Sequence, residues 1–222
     1  MSAEGPLRHG NGTGFALFET MRWEPGRGLI REARHLDRLA RSAAQLGLPH
    51  DPRQVRHCLD QIDRAENPLR VRLTLRLDGV CELAQQPFEP LDEGTVWTLR
   101  IAATRIDPED ALVHHKTTLR ERYEAARAEY GSGEADEVVM LNTRGMVCEG
   151  TITNVFVRAS LGILLTPPLS AGLLPGVLRA ELLAEGKAQE AEITPQDLAE
   201  GDILVGNSLR GLIRAQLAGD VA

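Results

Sequence analysis

Apolar positions along the chain change period several times. In G-F-A-L-F-E-T-M-R-W (14–23), Phe15 and Leu17 alternate with Ala16 and Phe18, and Glu19 falls on the Phe15–Leu17 side, so a strand is predicted. The turn E-P-G-R-G follows, with Pro25 and Gly26 as turn formers. From Arg34 to Gly47, Leu36, Leu39, Ala40, Ala43 and Leu46 recur at helical spacing, and Gly47 ends the helix. Asp51 as cap and Pro52 at the first position predict a second helix, to about Glu66. L-R-V-R-L-T-L-R-L (69–77) returns to period two with arginines on one face, and Asp78-Gly79 turns it into V-C-E-L-A. T-V-W-T-L-R-I-A (95–102) predicts another strand, and Ala103 to Val113 reads as a linker.

Beyond Lys116, T-L-R-E-R-Y-E-A-A-R-A-E-Y is rich in helix formers and stops at Gly131. D-E-V-V-M-L (136–141), the turn N-T-R-G and M-V-C-E-G-T-I-T-N-V-F-V predict a hairpin, and L-G-I-L-L-T a further strand. A helix opens at Pro175-Gly176 and closes at Gly186; a short helix at Pro195–Glu200, the strand D-I-L-V and the loop G-N-S-L-R-G complete the pattern. This is an α/β (α+β) chain. Residues 1–105 form a lobe with a mixed antiparallel sheet and two helices, and residues 106–222 a strand-rich lobe with helices packed outside.

Length narrows this to one large or two small lobes in 222 residues. A net charge of −7 argues against nucleic acid as main partner, because phosphate binding needs a basic face. No apolar run reaches the roughly 20 residues that span a bilayer. The first ten residues lack the apolar core of a signal peptide, so none is expected. Cys58, Cys81 and Cys148, odd in number and scattered, predict reduced thiols and a cytoplasmic protein. His114 and His115 are adjacent, which is not metal-ligand spacing, and no metal site is expected.

Candidate chemistry begins with Lys116, one of two lysines among 25 basic residues. An ε-amine forms a Schiff base and then serves as a general base, whereas a guanidinium does neither. Lying between a strand and a helix, Lys116 is expected near a helix N-terminus, whose dipole would favour the neutral amine; a lone lysine is more often simply solvated. Glu149 is either a salt-bridged glutamate at a strand end or a carboxylate paired with a cationic ring nitrogen. The Pro-Gly entry leaves the N–H groups of Val177 and Leu178 without helical partners, a ready anion site. Arg38 has the forked donors that suit phosphate, or is surface charge. Asn207 supplies amide donors in the last loop, or is part of a simple turn.

The series F-E-T-x-R, H-L-x-R-L, H-K-T-T-x-R-x-x-Y, E-G-T-x-T-N-V, G-L-L-P-G-x-x-R and N-S-L-R-G, in that order over residues 14 to 215, resembles the fold-type IV pyridoxal-phosphate enzymes. These include branched-chain aminotransferases, D-amino acid aminotransferases and 4-amino-4-deoxychorismate lyases. The resemblance implies a small α/β N-terminal lobe and a larger pseudo-barrel C-terminal lobe. By it, Lys116 is the Schiff-base lysine and Glu149 the partner of the pyridine nitrogen. Arg38, the amides of Val177 and Leu178, and Asn207 hold the phosphate. Tyr123 meets the phenolic oxygen, and Thr20 assists proton transfer. Arg72, with Arg70 and Arg76 sharing its face, and Arg105 are candidates for substrate carboxylates.

H-K-T-T-L-R-E-R-Y, E-T-M-R-W and T-P-P-L-S-A-G-L-L-P-G are most similar to the lyase branch, closest to the lyase-like domain fused to aminodeoxychorismate synthase component I. This implies a small-molecule amine substrate, elimination of pyruvate to give 4-aminobenzoate for folate synthesis, a functional link to the synthase, and the homodimer usual in the family. Two departures are the missing Asp-Arg-Gly lead-in and the short chain, both on the substrate side. A transaminase acting on D-amino or branched-chain amino acids, and a non-catalytic relative without the cofactor, are the competing expectations.

Overall fold

Why the first residues make a sheet follows from their register. In the computed structural model, which describes residues 14–63, 65–131, 133–159 and 162–219, the alternating stretch becomes β1 (Leu17–Glu24). It is followed by β2 (Gly28–Leu29), α1 (Glu32–Leu46), α2 (Pro52–Leu59), β3 (Leu69–Leu75) and β4 (Cys81–Pro87). β1 and β3 pair antiparallel from Leu17 opposite Leu75 to Trp23 opposite Leu69, and the sheet order is β2-β1-β3-β4. Leu17, Met21, Leu73 and Leu75 meet Leu39 and Ala43 of α1 and Val55 and Leu59 of α2 in one core. Asp51 caps α2 as expected, accepting from the Arg53 N–H at 2.8 Å. The helix ends at Leu59, short of Glu66, and the Asp63 N–H donates instead to Gln85 on β4 at 3.1 Å.

The remaining elements are β5 (Val96–Ile106), α3 (Glu121–Ala128), β6 (Glu137–Asn142), β7 (Val147–Gly150), β8 (Asn154–Arg158), β9 (Leu164–Thr166), α4 (Val177–Ala184), β10 (Ala188–Glu190), α5 (Pro195–Glu200), β11 (Asp202–Asn207) and β12 (Gly211–Leu217). The order β8-β11-β12-β5-β6-β7, with β7 also paired to β8, closes six strands into a barrel, and β9 and β10 extend from β8. One face of all six strands shares a core that includes Leu99, Val139, Val147, Val155, Val205 and Ile213. α3 covers Val138, Met140 and Cys148, and α4 covers Phe156 and Leu204, on the other face. The strand-rich pseudo-barrel is therefore present.

The chain divides into two compact units at other points than the sequence suggests. The first holds the described residues up to Pro90 together with Lys116–Leu119; the second holds Leu91–His115 and Arg120 onward. The expected boundary at 105/106 and the linker at 103–113 are displaced because β5 runs through Ile106, hydrogen-bonded to β6 and β12. A 3₁₀ turn, Ala111–His114, follows it. β10 and β12 are additions, and the expected strand 146–157 is broken between β7 and β8. The signal-peptide and lead-in readings concern residues 1–13, which lie outside the described residues. No helix among the described residues is long and apolar enough to cross a membrane.

Candidate active site

In the first unit, Lys116 belongs to a short extended piece laid against the start of β1. The Phe18 N–H donates to the Lys116 carbonyl, and the Thr118 N–H to the Ala16 carbonyl, each at 2.9 Å. Thr117 stands opposite Leu17 in an antiparallel bridge, and the Ala16 N–H reaches Thr118 Oγ1 at 2.9 Å. This pairing holds residues 116–118 extended, so α3 starts only at Glu121, and the expected placement of Lys116 at a helix N-terminus is corrected. The half-buried amine sits 4.6 Å from the centre of the Phe18 ring, a cation–π contact.

Behind β1 lies a polar cluster the periodicity hid. Glu19, His35 and Arg38 are 1%, 1% and 5% exposed, on faces otherwise used for core packing. Arg38 grips Glu19 with two donors, Nε to Oε1 at 2.8 Å and Nη2 to Oε2 at 2.5 Å. His35 Nδ1 stands 2.6 Å from Glu19 Oε2. Burial opposes ionisation of Glu19, but the Arg38 guanidinium, with help from His35, outweighs it and holds the carboxyl at about 2. Burial lowers His35, with Arg38 and Lys116 adding to the effect against the pull of Glu19. The imidazole is therefore neutral near pH 7, and Nδ1 carries the hydrogen donated to Glu19. Arg38 is thus no surface charge, and the carboxylate takes two of its five N–H donors.

On the other face of β1 stand Phe18, Thr20 and Arg22. Thr20 lies opposite Arg72, and Arg22 opposite Arg70. The Arg72 guanidinium lies 3.9 Å from the centre of the Phe18 ring that also meets Lys116. Thr20, Arg72 and Lys116 therefore share one side of the sheet. Arg76 pairs with Glu82 and Asp78 on the surface.

In the second unit, β7 presents Glu149, 4% exposed. Its carboxylate accepts from the Tyr123 hydroxyl at 2.9 Å and from the Leu174 N–H at 3.1 Å. Burial and this carboxylate push the Tyr123 phenol far above its usual range, and its one donor hydrogen goes to Glu149. Arg120 lies 4.8 Å over the Tyr123 ring and donates to the Thr151 carbonyl at 2.6 Å.

A residue the sequence reading missed shapes this region. Glu137, fully buried, accepts from the N–H groups of Thr151 (3.0 Å) and Ile152 (3.1 Å) and from the hydroxyls of Thr151 (2.6 Å) and Thr153 (2.8 Å). Those bonds turn the chain between β7 and β8 and break the expected long strand. They account for the small residues of E-G-T-x-T: a side chain on Gly150 would meet Thr153 Oγ1 at 2.5 Å and Glu137 at 2.7 Å. The one signal in the sequence was Glu137 itself, an acid set directly before the apolar run V-V-M-L.

α4 begins at Val177 with no side-chain cap, so its first N–H groups lack helical partners. Val177 and Leu178 are both buried. Gly176 before them has no room for a side chain, since a Cβ would overlap Asn154 Oδ1. Asn207 donates to the Ile152 carbonyl at 3.2 Å and accepts from the Arg210 N–H at 2.9 Å, tying the turn after β7 to the turn before β12. Arg105 lies in β5 and donates to the carbonyls of Ala102 and Ala103, where the register with β6 shifts. Among the described residues no group of three or more His, Cys, Asp or Glu is arranged for a metal.

These donors suit a pyridoxal phosphate in kind: an amine for an aldehyde, a buried carboxylate for a ring nitrogen, and an uncapped helix start for a phosphate. The antiparallel first sheet and the closed strand-rich barrel are the architecture of the pyridoxal-phosphate enzymes of fold type IV. Residues 16–217 match the family described as amino-transferase class IV, and the chain belongs to that family. A crystal structure from Mesorhizobium loti with a provisional amino-acid aminotransferase name is 51% identical, with a TM-score of 0.90 over 92% of this chain and 100% of that one. A Schizosaccharomyces pombe protein with the provisional name aminodeoxychorismate lyase is 27% identical over 90% of this chain and 89% of its own. The aminodeoxychorismate lyase of Bacillus subtilis is 28% identical over 82% of this chain and 68% of its own.

Proposed function

We propose that the protein is a 4-amino-4-deoxychorismate lyase, releasing pyruvate and leaving 4-aminobenzoate for folate synthesis. The observation that carries this reading is Lys116, pinned by its backbone to β1 with its amine on the face that holds Thr20 and Arg72. The lyase names of two relatives that match most of the chain support the choice of reaction.

In this reading Lys116 would hold the cofactor through its aldehyde, and Glu149 would keep the ring nitrogen protonated. Arg38 and the amides of Val177 and Leu178 would serve the phosphate. Asn207 fixes the turn beside them, and Tyr123 orients Glu149 through its hydroxyl. The bound cofactor supplies an electron sink for the carbon next to the substrate nitrogen. The Lys116 amine would be the base that accepts the proton from that carbon, with Thr20 assisting. Arg72 holds a substrate carboxylate. Arg105, with Nη1 on two carbonyls, is better explained as a clasp on the β5 irregularity. We further propose a cytoplasmic homodimer, supplied by an aminodeoxychorismate synthase.

The aminotransferase name of the 51% identical structure favours a second reading, a class IV transaminase with the same apparatus. One assay separates them. With aminodeoxychorismate and no keto-acid acceptor, pyruvate release is expected. Turnover of D-alanine or a branched-chain amino acid that occurs only with a keto acid, and no pyruvate from aminodeoxychorismate, would overturn the lyase.

A further inference from the structure

The sheet face that carries Lys116 has more positive charge than one carboxylate requires. Arg22 and Arg70 stand directly opposite each other on β1 and β3, one ladder step from the pair Thr20–Arg72. Like charges placed opposite across strands destabilise a sheet. Arg22 is relieved in charge by Glu24, with Nε 2.9 Å from Oε1 although outside hydrogen-bond geometry. Arg70 is not. It is 9% exposed, its buried Nε has no acceptor, and no carboxylate among the described residues pairs with it. The β4 positions opposite Arg70 and Arg72 are Gln86 and Ala84, and Glu82 further along is held by Arg76 at 3.1 Å. Glu19 is on the other face, taken by Arg38. A guanidinium this deeply buried without an anion is costly, and a bound anion removes both that cost and the repulsion from Arg22.

We infer that Arg70, backed by Arg22, binds a second carboxylate of the substrate, so that the site selects an amine bearing two carboxylates over a neutral aliphatic amino acid. The inference rests on the reading of Lys116 as the reactive amine and of Arg72 as the holder of the first carboxylate. Arg70 and Arg72 are two residues apart along β3, roughly 7 Å, which suits carboxylates set apart on one small ring.

The test uses the holoenzyme and two matched ring ligands, isophthalate with two carboxylates and benzoate with one, titrated by calorimetry. Isophthalate is expected to bind at least about tenfold more tightly, the scale of a charged hydrogen bond. Arg70→Met should bring the two ligands within about twofold, leaving benzoate and cofactor affinity as they were. Unchanged isophthalate affinity in Arg70→Met overturns the inference. So does a loss of cofactor affinity instead, which would assign Arg70 to the cofactor phosphate. If Arg70→Met does not fold, Arg22→Gln decides: weaker isophthalate with unchanged benzoate supports the inference, and no change overturns it. The pyruvate assay is separate. A dicarboxylate preference without pyruvate release sinks the lyase alone, and pyruvate release without the preference sinks this inference alone.

Discussion

At position 116, charge and nucleophilicity can be separated. Lys116→Arg keeps a cation over Phe18 but removes the amine. Turnover should fall by at least about a thousandfold, and the visible absorbance that borohydride bleaches should vanish; a variant that kept both would clear Lys116 of its role. The Glu19 cluster makes a second prediction at this scale. Folded Glu19 titrates at about 2 rather than 4.5, so on acidification the unfolded chain takes up the proton first. The stability Glu19 contributes is complete above about 4.5 and lost as the pH falls towards 2. In urea unfolding, the deficit of Glu19→Gln relative to the parent should be largest above that window and shrink through it. A constant deficit would mean that Glu19 is not ionised against Arg38. Sequence showed Arg38 and Glu149 as candidate residues. It did not show that Glu19 faces Arg38, because that contact joins a strand to a helix and needs the packing of both.

Elements were legible where one period ran undisturbed, as in β1, β3 and α1. They were misjudged where a contact distant in sequence overruled local preference. Thr117 and Thr118 precede good helix formers, yet pairing with Leu17 and Ala16 holds them extended. β12 alternates Ile213, Ala215 and Leu217 with Arg214 and Gln216 and could have been read; the three-residue β10 offers too little pattern. The entry to α4 gives the prediction for this scale. Gly176→Ala would force its Cβ into the Asn154 side chain and displace the first helical amides. Cofactor affinity, measured by titrating the apo protein, should fall by about tenfold or more; unchanged affinity would remove the start of α4 from the phosphate site.

Across the whole molecule, the closed barrel depends on a seam. β7 and β8 meet at Glu149 opposite Asn154, with the Gly150 N–H donating to the Thr153 carbonyl at 2.8 Å, and the turn joining them is organised by Glu137. Glu137→Ala would leave several buried donors unsatisfied, a loss of about 3 kcal/mol or more. Urea unfolding should register it, and amide exchange at Thr151 and Ile152 should quicken; exchange left as slow as in the parent would show that the turn holds without the carboxylate. Strand order of this kind was beyond the sequence, since alternation identifies a strand but not its neighbours.

The four residues Lys116–Leu119 count with the first compact unit although the chain on either side counts with the second. A cut after Pro90 therefore does not yield two self-sufficient pieces. The N-terminal fragment would lack the segment that pairs with β1, and the C-terminal fragment would carry Lys116 away from the strand that holds it. Gene fusion, circular permutation or split-protein complementation must respect this interlacing, and a break within the stretch around Lys116 would separate the amine from its support.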